Sequence, residues 1–542
     1  MVKKIQSIIK SVLVLALVVG SGLGLVTTTA HAADDETTVI VNKVKFSEED
    51  FASDSKVSLG ANGAVTGTYE NDGGVISALE SKDKVPNVEF TVYDATAKYQ
   101  ALITSGMSMQ DALASIASGG LTGVTQYGTP QRTGSNGQAR FDLPNFGNSG
   151  EQKVYLIVET DAPPFISNYS QPIALMLPMS DNSGVTLEEF NVYPKNLETK
   201  PKKELDEAKI TVNGEEVGTI DVGAPINFYT EFVMPLNING EKSDGSGEKL
   251  YTKLEITDTP STNLKFNAIQ SIQYFDGTQW VNTTLTSGTD YTLTTPYNGT
   301  APLNGDGFKL TFNLPSVLPK LENYAGNKIR INYTMKLTDG AIPEVPENNE
   351  VTIDFTHNGD NYSETDDADP VLTGGKRFKK VDSSTPATPL SGAEFVIKRE
   401  SSVPGQYEYA QFKTSAGVKI TNVNNTDNAA EVVWGSKTDA SVLVSNASGS
   451  FTVSGLDFGN YVAEETKAPA GHVLPSNPDT NFVVAEGSWD SSETNILSIV
   501  NYPKGTLPQT GGKGILAFLL IGSMLMAAAI VWYNRTKRQI KI

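Results

Sequence analysis

Two stretches of this chain, about 300 residues apart, carry the same ordered set of strand signatures, and this repeat constrains the fold more than any other feature. The first set runs from Asn42-Lys43-Val44 through Val88-Glu89-Phe90-Thr91-Val92 and Asn136-Gly137-Gln138-Ala139-Arg140-Phe141. It closes on Tyr155-Leu156-Ile157-Val158-Glu159-Thr160-Asp161-Ala162-Pro163. The second runs from Lys379-Lys380-Val381-Asp382 through Gly392-Ala393-Glu394-Phe395-Val396-Ile397 and Ser448-Gly449-Ser450-Phe451. It closes on Tyr461-Val462-Ala463-Glu464-Glu465-Thr466-Lys467-Ala468-Pro469. Between the two, Lys309-Leu310-Thr311-Phe312 and Glu350-Val351-Thr352-Ile353-Asp354-Phe355 alternate at strand period. Turn signals such as Asn71-Asp72-Gly73-Gly74, Asn304-Gly305-Asp306-Gly307 and Asn358-Gly359 punctuate them. Only residues 107–118, with Met107, Ala112, Leu113 and Ile116, have helical spacing. The pattern predicts an all-β chain of tandem sandwiches, the first and last being copies of one module.

Composition narrows the function. The 542 residues include no cysteine, which removes disulfides, thiolate metal sites and cysteine nucleophiles. Three histidines, with His31 near the N-terminus and only His357 and His472 elsewhere, give no nucleophile–base pair and no metal set. The formal charge of −20 argues against nucleic-acid binding, which needs a basic face. The acidic stretch Ser363–Pro370 (Glu364, Asp366, Asp367, Asp369) reads as a solvated linker rather than a Ca²⁺ site, because it lacks the spacing of a calcium loop. No cofactor is expected.

The two ends read as addresses. Lys3, Lys4 and Lys10 precede an apolar run and Ala30-His31-Ala32, the layout of a secretory signal cleaved between Ala32 and Ala33. At the other end, Leu507-Pro508-Gln509-Thr510-Gly511 precedes an uncharged stretch at 514–533 and the basic residues Arg535, Lys537, Arg538 and Lys541. An apolar span followed by positive charge keeps the tail cytoplasmic. The pentapeptide resembles the LPXTG cell-wall sorting signal of Gram-positive bacteria, which implies sortase cleavage between Thr510 and Gly511. Removing both ends leaves 478 residues; eight basic and no acidic residues go with them, so the net charge moves from −20 to −28.

The sorting signal, the Val192-Tyr193-Pro194-Lys195 string and the two Y-x-x-x-E-T-x-A-P boxes at 155–163 and 461–469 together resemble the backbone (major) pilins of Gram-positive bacteria. The resemblance implies three Ig-like sandwiches of collagen-binding-protein type (CnaB-type, CnaA-like, CnaB-type). They follow a signal peptide at 1–32 and occupy 33–195, 196–372 and 373–503, with the sorting tail at 504–542. It implies a secreted, wall-anchored fimbrium in which a class C sortase joins Thr510 to Lys195 of the next identical subunit. A housekeeping sortase would attach the fibre to peptidoglycan. Minor tip and base pilins and a host matrix or mucus ligand complete the implied partners. The competing expectation is a wall-anchored monomeric adhesin; the Tyr193-Pro194-Lys195 string favours the fibre.

The same resemblance implies self-formed Lys–Asn isopeptide bonds promoted by a buried acid, a single-turnover reaction rather than enzymatic catalysis. The implied sets are Lys43, Glu159 and Asn191 in the first domain, Lys203, Asp258 and Asn349 in the middle one, and Lys380, Glu465 and Asn501 in the last. Side chains alternate faces along a strand, so a one-residue slip leaves Lys202 and Asn348 as competitors in the middle domain.

Overall fold

The computed structural model describes residues 36–46, 57–59, 65–67, 73–181, 184–301, 303–414, 417–420, 422–423, 431–492, 494–505 and 513–539. The expected signal cleavage site at Ala32–Ala33 and the Leu507–Gly511 pentapeptide lie outside the described residues. The described strands enclose three large hydrophobic cores in succession along the chain.

In the first, strand Glu36–Asn42 lies between Gln138–Pro144, antiparallel, and Glu189–Val192, parallel. A second sheet, in the order Thr125–Arg132, Glu89–Asp94, Lys153–Asp161 and Ile173–Leu177, faces it across Val39, Val41, Phe90, Tyr155 and Ile157. The unbroken apolar run in Lys153–Asp161 follows from burial on both sides. Tyr155 and Ile157 enter the sandwich core, while Val154 and Leu156 pack against helices Thr96–Thr104 and Met109–Ser118. The second helix is capped by Ser108, whose hydroxyl accepts from Asp111 N at 3.1 Å. The first was not apparent in sequence, because only Thr96 and Tyr99 of its nine residues are buried.

The third core repeats this plan. Strand Gly374–Asp382 lies antiparallel to Ser450–Leu456 and parallel to Leu497–Asn501. Glu394–Glu400 pairs with Gly459–Lys467 as Glu89–Asp94 pairs with Lys153–Asp161. Even the irregularity is shared. The register slips between Glu89↔Asp161 and Phe90↔Glu159, and again between Glu394↔Lys467 and Phe395↔Glu465. The bulged residues, Thr160 and Thr466, re-aim the preceding glutamate into the core.

The middle unit has the largest core and long strands, among them Tyr251–Pro260, Lys328–Leu337 and Glu347–His357. The acidic stretch read as a linker is part of strand Asp360–Leu372, antiparallel to Glu347–His357 through the Asn358-Gly359 turn (φ 51° and 93°). Its carboxylates serve the sheet: Asp366 Oδ2 accepts from Lys203 N at 2.6 Å, and Asp369 pairs with Lys209. Polar composition suggested a linker because one face of this strand is wet. The first unit also runs past the expected boundary at 195, since strand Lys195–Leu197 pairs in parallel with Val44–Phe46.

The units are joined by polar contacts. Asp161 meets His357 at 2.9 Å and Arg132 at 2.8 Å where the first joins the middle. Asp221 meets Arg399 at 3.0 Å and Trp434 Nε1 at 2.7 Å where the middle joins the third.

Candidate functional site: three buried amine–acid–amide clusters and a shielded lysine

Inward alternation along two parallel strands builds the third-domain cluster. Phe378 and Lys380 point into the core from one strand, Ile499 and Asn501 from its neighbour, and the register pairs Asp382 with Asn501. The amide therefore sits two rungs beyond the amine, and the lysine reaches along the strand to meet it. Lys380 Nζ donates to Asn501 Oδ1 at 2.5 Å and lies 3.4 Å from Glu465 Oε2; Asn501 Nδ2 donates to Glu465 Oε1 at 2.7 Å. Phe378, Phe395 and Phe451 stack nearby. Burial pulls the Lys380 amine down and pushes the Glu465 carboxyl up. Both shifts favour a neutral amine facing a neutral acid.

The first domain reproduces the arrangement with a different asparagine from the one expected. Lys43 Nζ donates to Glu159 Oε2 at 2.6 Å and to Asn196 Oδ1, and Asn196 Nδ2 donates to Glu159 Oε1 at 2.6 Å. Burial lowers the Lys43 amine as well. Asn191 is elsewhere: it pairs in register with Ile40, accepts from Asn42 Nδ2 at 2.9 Å and donates to the Gly73 carbonyl at 3.3 Å. The reason is the rung offset. Asn196 lies opposite Lys45, two beyond Lys43, as Asn501 lies opposite Asp382, two beyond Lys380. Asn191 was expected because it lies in the strand leading to Tyr193-Pro194-Lys195; the partner lies in the next strand, beyond that string.

In the middle domain strand phase separates the competitors. Lys203 and Asn349 are buried, whereas Lys202 and Asn348 face outward, Lys202 pairing with Glu204 at 2.7 Å. Lys203 Nζ donates to Asp258 Oδ2 at 2.5 Å, and the same oxygen accepts from Tyr333 Oη at 2.7 Å. Asn349 Nδ2 donates to Met335 Sδ at 2.9 Å. Tyr333 and Met335, two inward residues of one strand, were not singled out from sequence.

Lys195 begins the strand that carries Asn196. Beside it Tyr193 is buried, its hydroxyl accepting from Ile76 N and donating to Glu80 Oε1, both at 3.1 Å. Lys195 Nζ donates to the Tyr193 carbonyl at 3.3 Å. Burial, helped by the charge on Lys43, brings the Lys195 amine down to about 8. A second Tyr-Pro-Lys string, Tyr502-Pro503-Lys504, has no such shelter; Tyr502 is 67% exposed.

Helix Lys513–Gln539 ends the described chain, and its Phe518–Thr536 segment is long and apolar enough to cross a membrane. The described residues thus form tandem β-sandwiches followed by a helix long and apolar enough to span a membrane. The comparisons make this specific. Residues 34–197 match the Gram-positive pilin subunit D1, N-terminal domain; 374–496 match the SpaA prealbumin-like fold domain; and 499–541 match the LPXTG cell wall anchor motif. Fimbrial subunit type 2 of Actinomyces naeslundii is 25% identical over 503 residues, covering 86% of this chain and 85% of that one. Fimbrial subunit type 1 of Actinomyces viscosus is 24% identical, covering 75% and 76%. Among solved structures, the major pilin SpaD of Corynebacterium diphtheriae is 18% identical, covers 87% and 98%, and has a TM-score of 0.41. RrgB of Streptococcus pneumoniae is 18% identical, covers 88% and 99%, and has a TM-score of 0.43. The chain therefore carries a Gram-positive pilin N-terminal domain, a prealbumin-like domain and an LPXTG cell wall anchor motif, and it is homologous to fimbrial subunits.

Proposed function

We propose that this chain is the repeating backbone subunit of a sortase-assembled fibre, with Lys195 as acceptor and Thr510 as donor of the link between subunits. The observation that carries this reading is the placement of Lys195: it opens a strand beside the buried Tyr193, with Nζ on the Tyr193 carbonyl at 3.3 Å and burial lowering its pKa, in a chain that also bears a sorting pentapeptide. The cysteine of a class C sortase would attack the Thr510 carbonyl, release Gly511 and its tail, and leave a thioester. The neutral Lys195 amine of the next subunit would attack that thioester, free the thiol and form a Thr510–Lys195 amide. A housekeeping sortase would transfer the finished fibre to peptidoglycan, minor pilins would cap its ends, and its exposed shaft would serve adhesion. An immunoblot of wall extracts tests this: the fibre gives a high-mass ladder, and a single band overturns it in favour of a monomeric adhesin.

Each buried cluster supports an internal bond of the same kind. The neutral lysine attacks the asparagine Cγ, the acid polarises the amide and moves the protons, and ammonia leaves. Fixed geometry converts a slow bimolecular aminolysis into an intramolecular step. The mass of the purified chain is expected to fall short of its calculated value by three ammonia molecules, about 17 Da each. Asn196→Ala is expected to remove one of these deficits while Asn191→Ala removes none; the reverse result would restore Asn191 as the partner.

A further inference from the structure

The middle cluster differs from the other two: Lys43 and Lys380 each donate to their asparagine Oδ1, whereas Asn349 Oδ1 has no such bond from Lys203. In the first and third domains the glutamate accepts directly from the asparagine nitrogen, at 2.6 and 2.7 Å. The middle domain has an aspartate, one methylene shorter, and no such bond joins Asp258 to Asn349. Asp258 Oδ1 and Asn349 Oδ1 are both buried without a hydrogen-bond partner. The group between them is Tyr333. Its hydroxyl donates to Asp258 Oδ2 at 2.7 Å and burial keeps it protonated, while two residues along the same inward face of the strand Met335 Sδ accepts from Asn349 Nδ2 at 2.9 Å, which sets the amide next to Tyr333. Its ring walls the lysine in: Lys203 Nζ lies 5.6 Å from the Tyr333 centroid and 6.0 Å from that of Phe228, which stacks on Tyr333.

We propose that Tyr333 is a catalytic residue of the middle-domain cross-link, relaying the proton between Asp258 and the departing nitrogen of Asn349. The proposal rests on the cross-link reading of this domain. A bond forms from Lys203 Nζ to Asn349 Cγ, and the bond from Cγ to Nδ2 breaks. The Tyr333 hydroxyl gives its proton to Nδ2 and takes one from Asp258, while Asp258 takes one from the Lys203 nitrogen. Ammonia leaves, Asp258 and Tyr333 return to their starting states, and no outside reactant is consumed. Tyr333 thus supplies the reach that a glutamate has in the other two domains.

The test follows formation of the Lys203–Asn349 bond over time in the full chain, by peptide mapping and by mass relative to each variant's own calculated value. Tyr333→Phe keeps the ring and its packing. It is expected to slow the middle-domain bond at least tenfold, with the Lys43 and Lys380 bonds unchanged. Adding Asp258→Glu to Tyr333→Phe is expected to recover most of the rate, because the longer acid reaches the amide itself; a purely structural tyrosine would not be replaced this way. Bond formation at the unsubstituted rate in Tyr333→Phe, or no recovery in the double variant, overturns the relay. A failure of the cross-link reading looks different: the unsubstituted chain then lacks the Lys203–Asn349 bond, and Lys203→Ala leaves the ammonia deficit unchanged.

Discussion

Replacing Lys195 with arginine is expected to collapse the high-mass ladder to a monomer band while leaving the three ammonia deficits in place. Arginine keeps the positive charge and most of the length but does not deprotonate in a protein, so it cannot attack a thioester. The unsubstituted amine, at about 8, is neutral in roughly a quarter of molecules at pH 7.5, against about one in a thousand for an ordinary lysine. Burial lowers the pKa by disfavouring the ammonium form, so reactivity rises as pH climbs through 8 and then levels off. Competitive labelling of lysines with an amine reagent across pH, read by peptide mapping, checks this. Lys195 in a chain without the first-domain cross-link is expected to show a midpoint near 8, well below that of an unperturbed lysine. A Lys43–Asn196 amide removes the Lys43 charge, the second cause of the shift, and is expected to move the midpoint up. A Lys195 profile like that of surface lysines would remove the main support for its role as acceptor.

The other large effect belongs to Glu465. Glu465→Gln keeps the side-chain shape and its bond to Asn501 but loses the group that moves protons between Lys380 and Asn501. The third-domain bond is then expected not to form, restoring one ammonia to the mass. Lys380 and Asn501 are 121 residues apart, and opening a loop of that size costs about 5 kcal/mol on the chain-entropy account. For a domain of this size that corresponds to a melting transition roughly 15–25 °C lower. Calorimetry of the chain would register it as a shift confined to one of several transitions. An unchanged mass in Glu465→Gln would show that the glutamate is dispensable to the chemistry.

Much of this was legible because the repeat carries geometry with it. Tyr155–Pro163 and Tyr461–Pro469 share a threonine bulge, and the bulge is what turns Glu159 and Glu465 inward. Strand period alone left Lys202 open against Lys203, since a period of two gives spacing but not phase; the neighbours that enter the core, such as Leu205, set the phase. Asn196 was missed because its partnership depends on how two parallel strands are aligned, a long-range property that the local sequence does not carry. The acidic run at 363–370 was misread for a related reason. Polar composition marks solvent contact, and a strand with one wet face has as much of that as a linker. Tyr333 could not be found from sequence, because its place beside Asp258 follows from sheet order in the middle unit.

The placement of the clusters also determines how a pulled fibre would stretch. In a fibre joined from Thr510 to Lys195, force enters a subunit at Lys195 and passes directly to residue 196, so the first sandwich hangs beside the line of pull. A Lys203–Asn349 amide short-circuits residues 204–348, and a Lys380–Asn501 amide short-circuits 381–500. The contour that can lengthen is then confined to residues 195–203, 349–380 and 501–510. At about 3.5 Å per extended residue, it has little slack to give before covalent bonds take the strain.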